Sequence, residues 1–264
     1  MCYWVGSRKV REVMLKKLEK NPQDEIAQLF YNTFIEPPKP ENKLQLMEHP
    51  VAIGKAKPTL TALLKTNECL VFENLIWTLN WNYWDSKLKM EKQGIPLLNS
   101  RSENVFWQHN DLIFTKRCII PVDGYWEFYH FKGNTYPYFI YPANGGLFYL
   151  GGIYNEYADA KTGDVTKGFS IITTPPNGVT VKLHNNPKAH NGARMLLILD
   201  DEKAISFLDT KLTKNEIESN FFKIYDASKM KFHSTLSFLK KENMAFLESG
   251  KVQEPFEYPE LVLS

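Results

Sequence analysis

Hydrophobic and polar residues repeat with two different periods along this chain, and the first half follows the longer one. In RKVREVMLKKLEK, Arg8 to Lys20, the residues Val10, Val13, Met14 and Leu18 fall on one side of a helical repeat and lysines take the rest, which predicts an amphipathic helix packed on a core. EPPKPENK (36–43) interrupts this pattern. It is charged and rich in proline, and its second proline disfavours helix at the first, so an exposed connection is expected there. From Arg117 onward the repeat shortens to two. RCIIPV, YWEFYHF, YPYFIY, LFYLGGIY, FSIITT and RMLLIL are aromatic and β-branched runs separated by DG, KGN, ANGG and TGD, so a sheet-rich half is predicted. Acidic first turns and helical apolar spacing in DEKAISFLDT and TKNEIESNFFKI predict surface helices covering that sheet.

The same patterns single out polar residues in unexpected places. Alternation puts Tyr125, Glu127, Tyr129 and Phe131 on one face of their strand and Trp126, Phe128 and His130 on the other. A carboxylate among aromatics sits either at an edge in water or in a desolvated site suited to proton transfer, and Glu127 is open to both readings. In PPNGVTVKLHNNPKAHNGARMLLILD a short helical turn from about Gly178 is predicted to end at His184, before a polar loop and a strand from Arg194 to Leu199. A histidine at such a junction can point into a cleft or simply cap the turn. His190 follows by an offset that matches no usual metal-ligand spacing, so no metal is assigned. Downstream of Gly94-Ile95-Pro96, an extended NSRSE segment would place Asn99, Arg101 and Glu103 on one side, where asparagine orients a carbonyl or amine and arginine grips a phosphate. WTLNWNYWD, Trp77 to Asp85, crowds four aromatics into a stretch without amphipathic period, suited to core packing or to stacking on bases.

Length and composition narrow the class. With 264 residues and 43% hydrophobic content the chain can bury a core and fits one domain over 1–264. A formal charge of +2 gives no general attraction to polyanions, so any nucleic-acid contact has to be a local patch. Cys2, Cys69 and Cys118 are odd in number and irregularly spaced, and MCYWVGSRKV lacks the features of a secretory leader, which predicts a cytoplasmic protein. No apolar run approaches the ~20 residues a membrane span requires.

Cys2 changes this picture most. Removal of Met1, normally permitted by a small second residue, would expose an α-amine and a thiol on adjacent carbons. Such a pair condenses with an aldehyde, the amine forming a Schiff base and the thiol closing on the imine carbon to give a thiazolidine. While Met1 stays in place, the acylated nitrogen cannot take the first step.

In order and placement, Cys2, WTLNWNYWD, NSRSE, RCIIPVDGYWEF and LHNNPKAHNGARMLLIL resemble the SRAP family, the SOS-response-associated peptidase domain that shields abasic sites in single-stranded DNA. The resemblance covers nearly the whole chain. It implies an α+β fold whose mainly antiparallel sheet forms a barrel-like core with flanking helices. For the site it implies that Cys2 crosslinks to the open-ring aldehyde, Asn99 orients the linkage, Glu127 lies beside the α-amine and His184 assists ring opening and proton transfer. It also implies that Arg101 and Arg194 meet the DNA, with Tyr83 and Trp84 as aromatic neighbours. The expected partner is single-stranded DNA with abasic sites, bound by a monomer without a cofactor. The family usually begins Cys-Gly-Arg where this chain has Cys2-Tyr3-Trp4, and Arg-Met-Pro appears as Arg194-Met195-Leu196, so the rim of the groove is rebuilt. A cysteine autopeptidase using Cys2 with His184, and a non-catalytic DNA- or protein-binding module, are the alternative readings.

Overall fold

A computed structural model of the chain describes residues 4–79, 97–158, 162–186, 192–238, 243, 246–247 and 250–261. In chain order the first strands are β1 (Trp4–Gly6), β2 (Ala52–Ile53), β3 (Thr59–Thr66), β4 (Cys69–Trp77) and β5 (Asn99–Arg101). They are followed by β6 (Arg117–Val122), β7 (Gly124–Phe131), β8 (Asn134–Pro142), β9 (Phe148–Ala158) and β10 (Val165–Thr174). β11 (Met195–Leu196), β12 (Ile198–Leu199) and β13 (Met230–Ser234) complete the described strands. The helices are α1 (Val10–Lys20), α2 (Glu25–Phe30), α3 (Val105–Gln108), α4 (Asn110–Thr115), α5 (Gly178–Leu183), α6 (Asp201–Phe207) and α7 (Lys214–Asn220).

Five of these strands close on themselves. β10 pairs with β4, β4 with β3, β3 with β6, β6 with β9, and β9 with β10 again. Only the β10–β4 seam is parallel; the other pairings in this ring are antiparallel. Side chains divide by the strand period: Leu60, Ala62, Leu64, Ile120, Leu150 and Ile171 belong to one core, whereas Leu63, Ile119, Ile153 and Ile172 belong to a second. Val10 and Met14 of α1, Phe30 of α2, Ile113 of α4 and Phe207 of α6 cover that second core. Because both faces of the barrel wall are buried, β6 is buried at every position. The predicted α+β fold with an antiparallel barrel-like core is therefore the observed one.

A second sheet, in the order β13-β8-β7-β1-β2, lies against the first core through Val5, Ala52, Tyr125, Tyr138 and Ile140. Its other face carries Trp126, Phe139, Phe238 and Val252. Where β6 passes into β7 the chain needs Gly124, because a Cβ there would lie 2.5 Å from the Ile140 carbonyl oxygen and 2.4 Å from the Phe139 ring.

Three elements differ from the sequence-based expectation. The β3–β4 hairpin was not predicted: its turn is Asn67-Glu68, with φ of 49° and 64°, rather than a glycine turn, and its strands lack polar alternation. RMLLIL is two short strands, since β11 pairs with β10 and β12 with β9. Leu197 joins them, donating to the Ile172 carbonyl and accepting from the Gly151 N–H. NSRSE is extended only through Arg101, so Glu103 leaves the strand in a turn instead of sharing a side with Asn99 and Arg101.

Candidate functional site

β7 has the alternation read from its sequence. Tyr125, Tyr129 and Phe131 pack toward the core shared with the barrel, and Trp126 and Phe128 pack on the opposite face. Glu127 therefore points inward, and at 2% exposure it is desolvated. His184 answers it: Nδ1 lies 2.7 Å from Glu127 Oε2, with the imidazole N–H donating to the carboxylate. That bond orients the ring and leaves Nε2 as the nitrogen available for proton exchange in the neutral form. The other carboxylate oxygen, Oε1, is buried without a hydrogen-bond partner among the described residues.

His184 reaches this position by a short route. β10 ends at Thr174, two prolines follow, and Asn177 begins α5 by accepting the Thr180 N–H at 3.0 Å. The Asn177 amide also donates to the Tyr225 carbonyl at 2.9 Å, fixing the helix start to the body. α5 lies against β7. At its end the His184 N–H bonds the Thr180 carbonyl at 2.8 Å, and φ of −89° with ψ of 66° turns the chain out of the helix. The Asn185 side chain then bonds β7, accepting from the His130 N–H at 2.6 Å and donating to the His130 carbonyl at 2.9 Å. Burial first, and then the nearby His184, lower the pKa of His130.

β1 runs antiparallel to β7 with Val5 opposite Tyr125, so its N-terminal end points along β7 toward Glu127. Trp4 sets that direction by packing its ring 5.6 Å from Phe128 and 5.2 Å from Phe238. Cys2 lies outside the described residues, as do Tyr83, Trp84 and His190.

Asn99 and Arg101 flank the end of β10, with Asn99 opposite Ile171 and Arg101 opposite Thr173. The Asn99 Oδ1 is buried. Arg101 is half-buried, and among the described residues its guanidinium has no ion-pair or hydrogen-bond partner. Arg194, the second expected DNA contact, is engaged within the protein. It is 7% exposed, and its guanidinium holds both oxygens of Glu103 at 2.6 and 2.7 Å and the Thr173 carbonyl at 2.7 Å. This bidentate pairing holds the Glu103 carboxyl below its ordinary pKa, and it turns Arg194 inward to join the β5 turn to β10. Sequence reasoning missed Glu103 and Asn185 as partners because neither a spacing nor a period connects them to residues so remote.

Among the described residues no cluster of histidine, cysteine and acidic side chains could hold a metal, and no helix is long and apolar enough to cross a membrane.

The sequence profile of the SOS response associated peptidase (SRAP) family matches residues 17–239. The abasic site processing protein YoqW of Bacillus subtilis is 28% identical over 167 residues, covering 62% of this chain and 70% of YoqW. The abasic site processing protein YobE of the same species is 26% identical over 174 residues, covering 65% of this chain and 75% of YobE. A crystal structure of a Bacteroides thetaiotaomicron protein has the same fold, with a TM-score of 0.72 and 24% identity over 97% of this chain and 100% of that one.

Proposed function

This chain belongs to the SOS response associated peptidase family, and from that premise we propose that it processes abasic sites by forming a covalent crosslink through Cys2 in single-stranded DNA. One observation carries the reading: a buried glutamate, with one oxygen held by a histidine and the other unpartnered among the described residues, stands on the strand that receives β1. Cys2 precedes Trp4 by two residues, a reach of at most ~7 Å in extended chain, and the reading requires its amine to meet that open oxygen.

The chemistry follows in order. Glu127 Oε1 accepts a hydrogen bond from the α-amine and holds it toward the aldehyde of the ring-opened abasic sugar. The nitrogen attacks the aldehyde carbon, and loss of water leaves the Schiff base. The thiol sulfur then forms a bond to the imine carbon while the nitrogen takes up a proton, closing the thiazolidine. His184 Nε2 moves protons in ring opening and dehydration, with Glu127 stabilising the imidazolium as it forms. Asn99 orients the adduct and Arg101 meets a phosphate, whereas Arg194, already held by Glu103, braces the rim from within. The protein stays on the lesion as a shield and acts as a monomer.

Methionine-free protein incubated with a single-stranded oligonucleotide carrying one abasic site should give a species that survives a denaturing gel. Cys2→Ala should abolish it and leave weaker, salt-sensitive binding. An adduct that persists in the alanine variant would assign the nucleophile to another residue. The Glu127–His184 pair would equally orient a base for a cysteine autopeptidase, and intact mass separates the two: loss of leading residues marks processing, gain of an oligonucleotide marks crosslinking.

A further inference from the structure

β7 is a strand with a partly open side. β8 pairs with it from Tyr125 to Phe131, but on the other side the described register of β1 covers only Gly124 and Tyr125. At His130 the peptide N–H and C=O on that open side are taken by one side chain, the Asn185 amide, at 2.6 and 2.9 Å. A primary amide presents an N–H donor and a C=O acceptor in the spacing of a peptide group, so Asn185 behaves as a single residue of an absent strand. Aspartate would supply only the acceptor.

The adjoining residue explains why this matters. His184 and Asn185 are neighbours in the chain, and they grip the same strand at Glu127 and at His130, points about 10 Å apart along β7. α5 is only six residues long, and His184 itself has already left the helix, so helical hydrogen bonding alone does not define where its ring lies. A second anchor one residue later prevents the segment from sliding or rotating away from Glu127. From this geometry we propose that Asn185 is a positioning residue for His184, acting through the backbone of His130 and touching no reacting atom. The proposal rests on the reading that His184 moves protons.

Two measurements test it separately. In the first, nitrogen-15 NMR of the imidazole of His184 should show one tautomer with a protected Nδ1–H in the parent protein, and averaging tautomers in Asn185→Ala. In the second, Asn185→Ala should slow adduct formation at saturating abasic oligonucleotide by about ten-fold, part of the ~10²-fold that a ~1 Å misplacement of a catalytic group costs. Oligonucleotide affinity should stay within two-fold, and Asn185→Asp should recover part of the rate by restoring the bond from the His130 N–H. If Asn185→Ala is too unstable to study, the same comparison is made between Asn185→Asp and the parent. An unchanged imidazole spectrum in the variant overturns the proposal whatever the rate. Absence of an adduct from the parent protein with the tautomer change still present would instead overturn the crosslinking reading and leave the positioning role standing.

Discussion

Glu127 is joined to His184 through one oxygen, and its charge is the part of that bond that glutamine cannot reproduce. Glu127→Gln is therefore expected to keep the fold but slow adduct formation by ~10²-fold or more, the usual contribution of a positioned acid–base group. A rate within two-fold of the parent, measured under single-turnover conditions, would remove Glu127 from the chemistry. Asp123 carries a different consequence. Burial pushes its carboxyl up to about 6, opposed by hydrogen bonds from the Lys9 N–H and the Gln253 amide. The folded protein thus holds this proton more tightly than the unfolded chain. That advantage is complete below the ordinary carboxylate range and is lost as pH rises to about 6. Denaturant unfolding at pH 4 and at pH 7 should show the stability of the parent falling by ~2 kcal/mol more than that of Asp123→Asn. Parallel pH profiles would show that Asp123 does not titrate in this window.

Among the elements, β7 was legible because its aromatic run is bounded in the sequence by the DG and KGN turn signals, with Glu127 standing out as the one carboxylate within it. The end of α5 at His184 was legible for a similar reason: two prolines and a capping asparagine mark the helix start in the sequence itself. β3 and β4 were not. They are barrel staves with both sides covered, and their turn relies on Glu68 in a left-handed conformation that no local rule favours. The Arg194–Glu103 pair was equally hidden, because it joins residues 91 positions apart. Gly124 belongs to this scale as well. Gly124→Ala drives a methyl into the Ile140 carbonyl and the Phe139 ring, so the β7–β8 pair has to shift. A loss of roughly 2–3 kcal/mol is expected from such overpacking, read as a lower denaturation midpoint; unchanged stability would mean that β8 yields at little cost.

At the scale of the whole molecule, the site lies between the barrel and the second sheet, and the far side of that sheet is held by the end of the chain. Val252 is 1% exposed beside Trp126 and Phe139, Gln253 bonds both Asp123 and the Pro50 carbonyl, and Tyr258 bonds the Thr235 carbonyl. These residues lie beyond the span of the family match, which ends at 239. Removing 250–264 is expected to cost about 3 kcal/mol or more, a fall of roughly 6–12 °C in Tm. An unchanged Tm would show the segment to be decoration. The bond from the Lys9 N–H to Asp123 spans 114 residues of sequence, and β1 waits just as long for β7. Ribosomes add ~5–20 residues per second, so roughly 6–23 s pass between the emergence of the first partner and the second. Throughout that interval β1 has no β7 to pair with, so an aminopeptidase at the exit tunnel would meet the chain before this pairing forms. Removal of Met1 is therefore expected during translation, before β7 has been made, and the intact mass of nascent chains stalled before residue 124 checks it: a retained methionine would overturn that order.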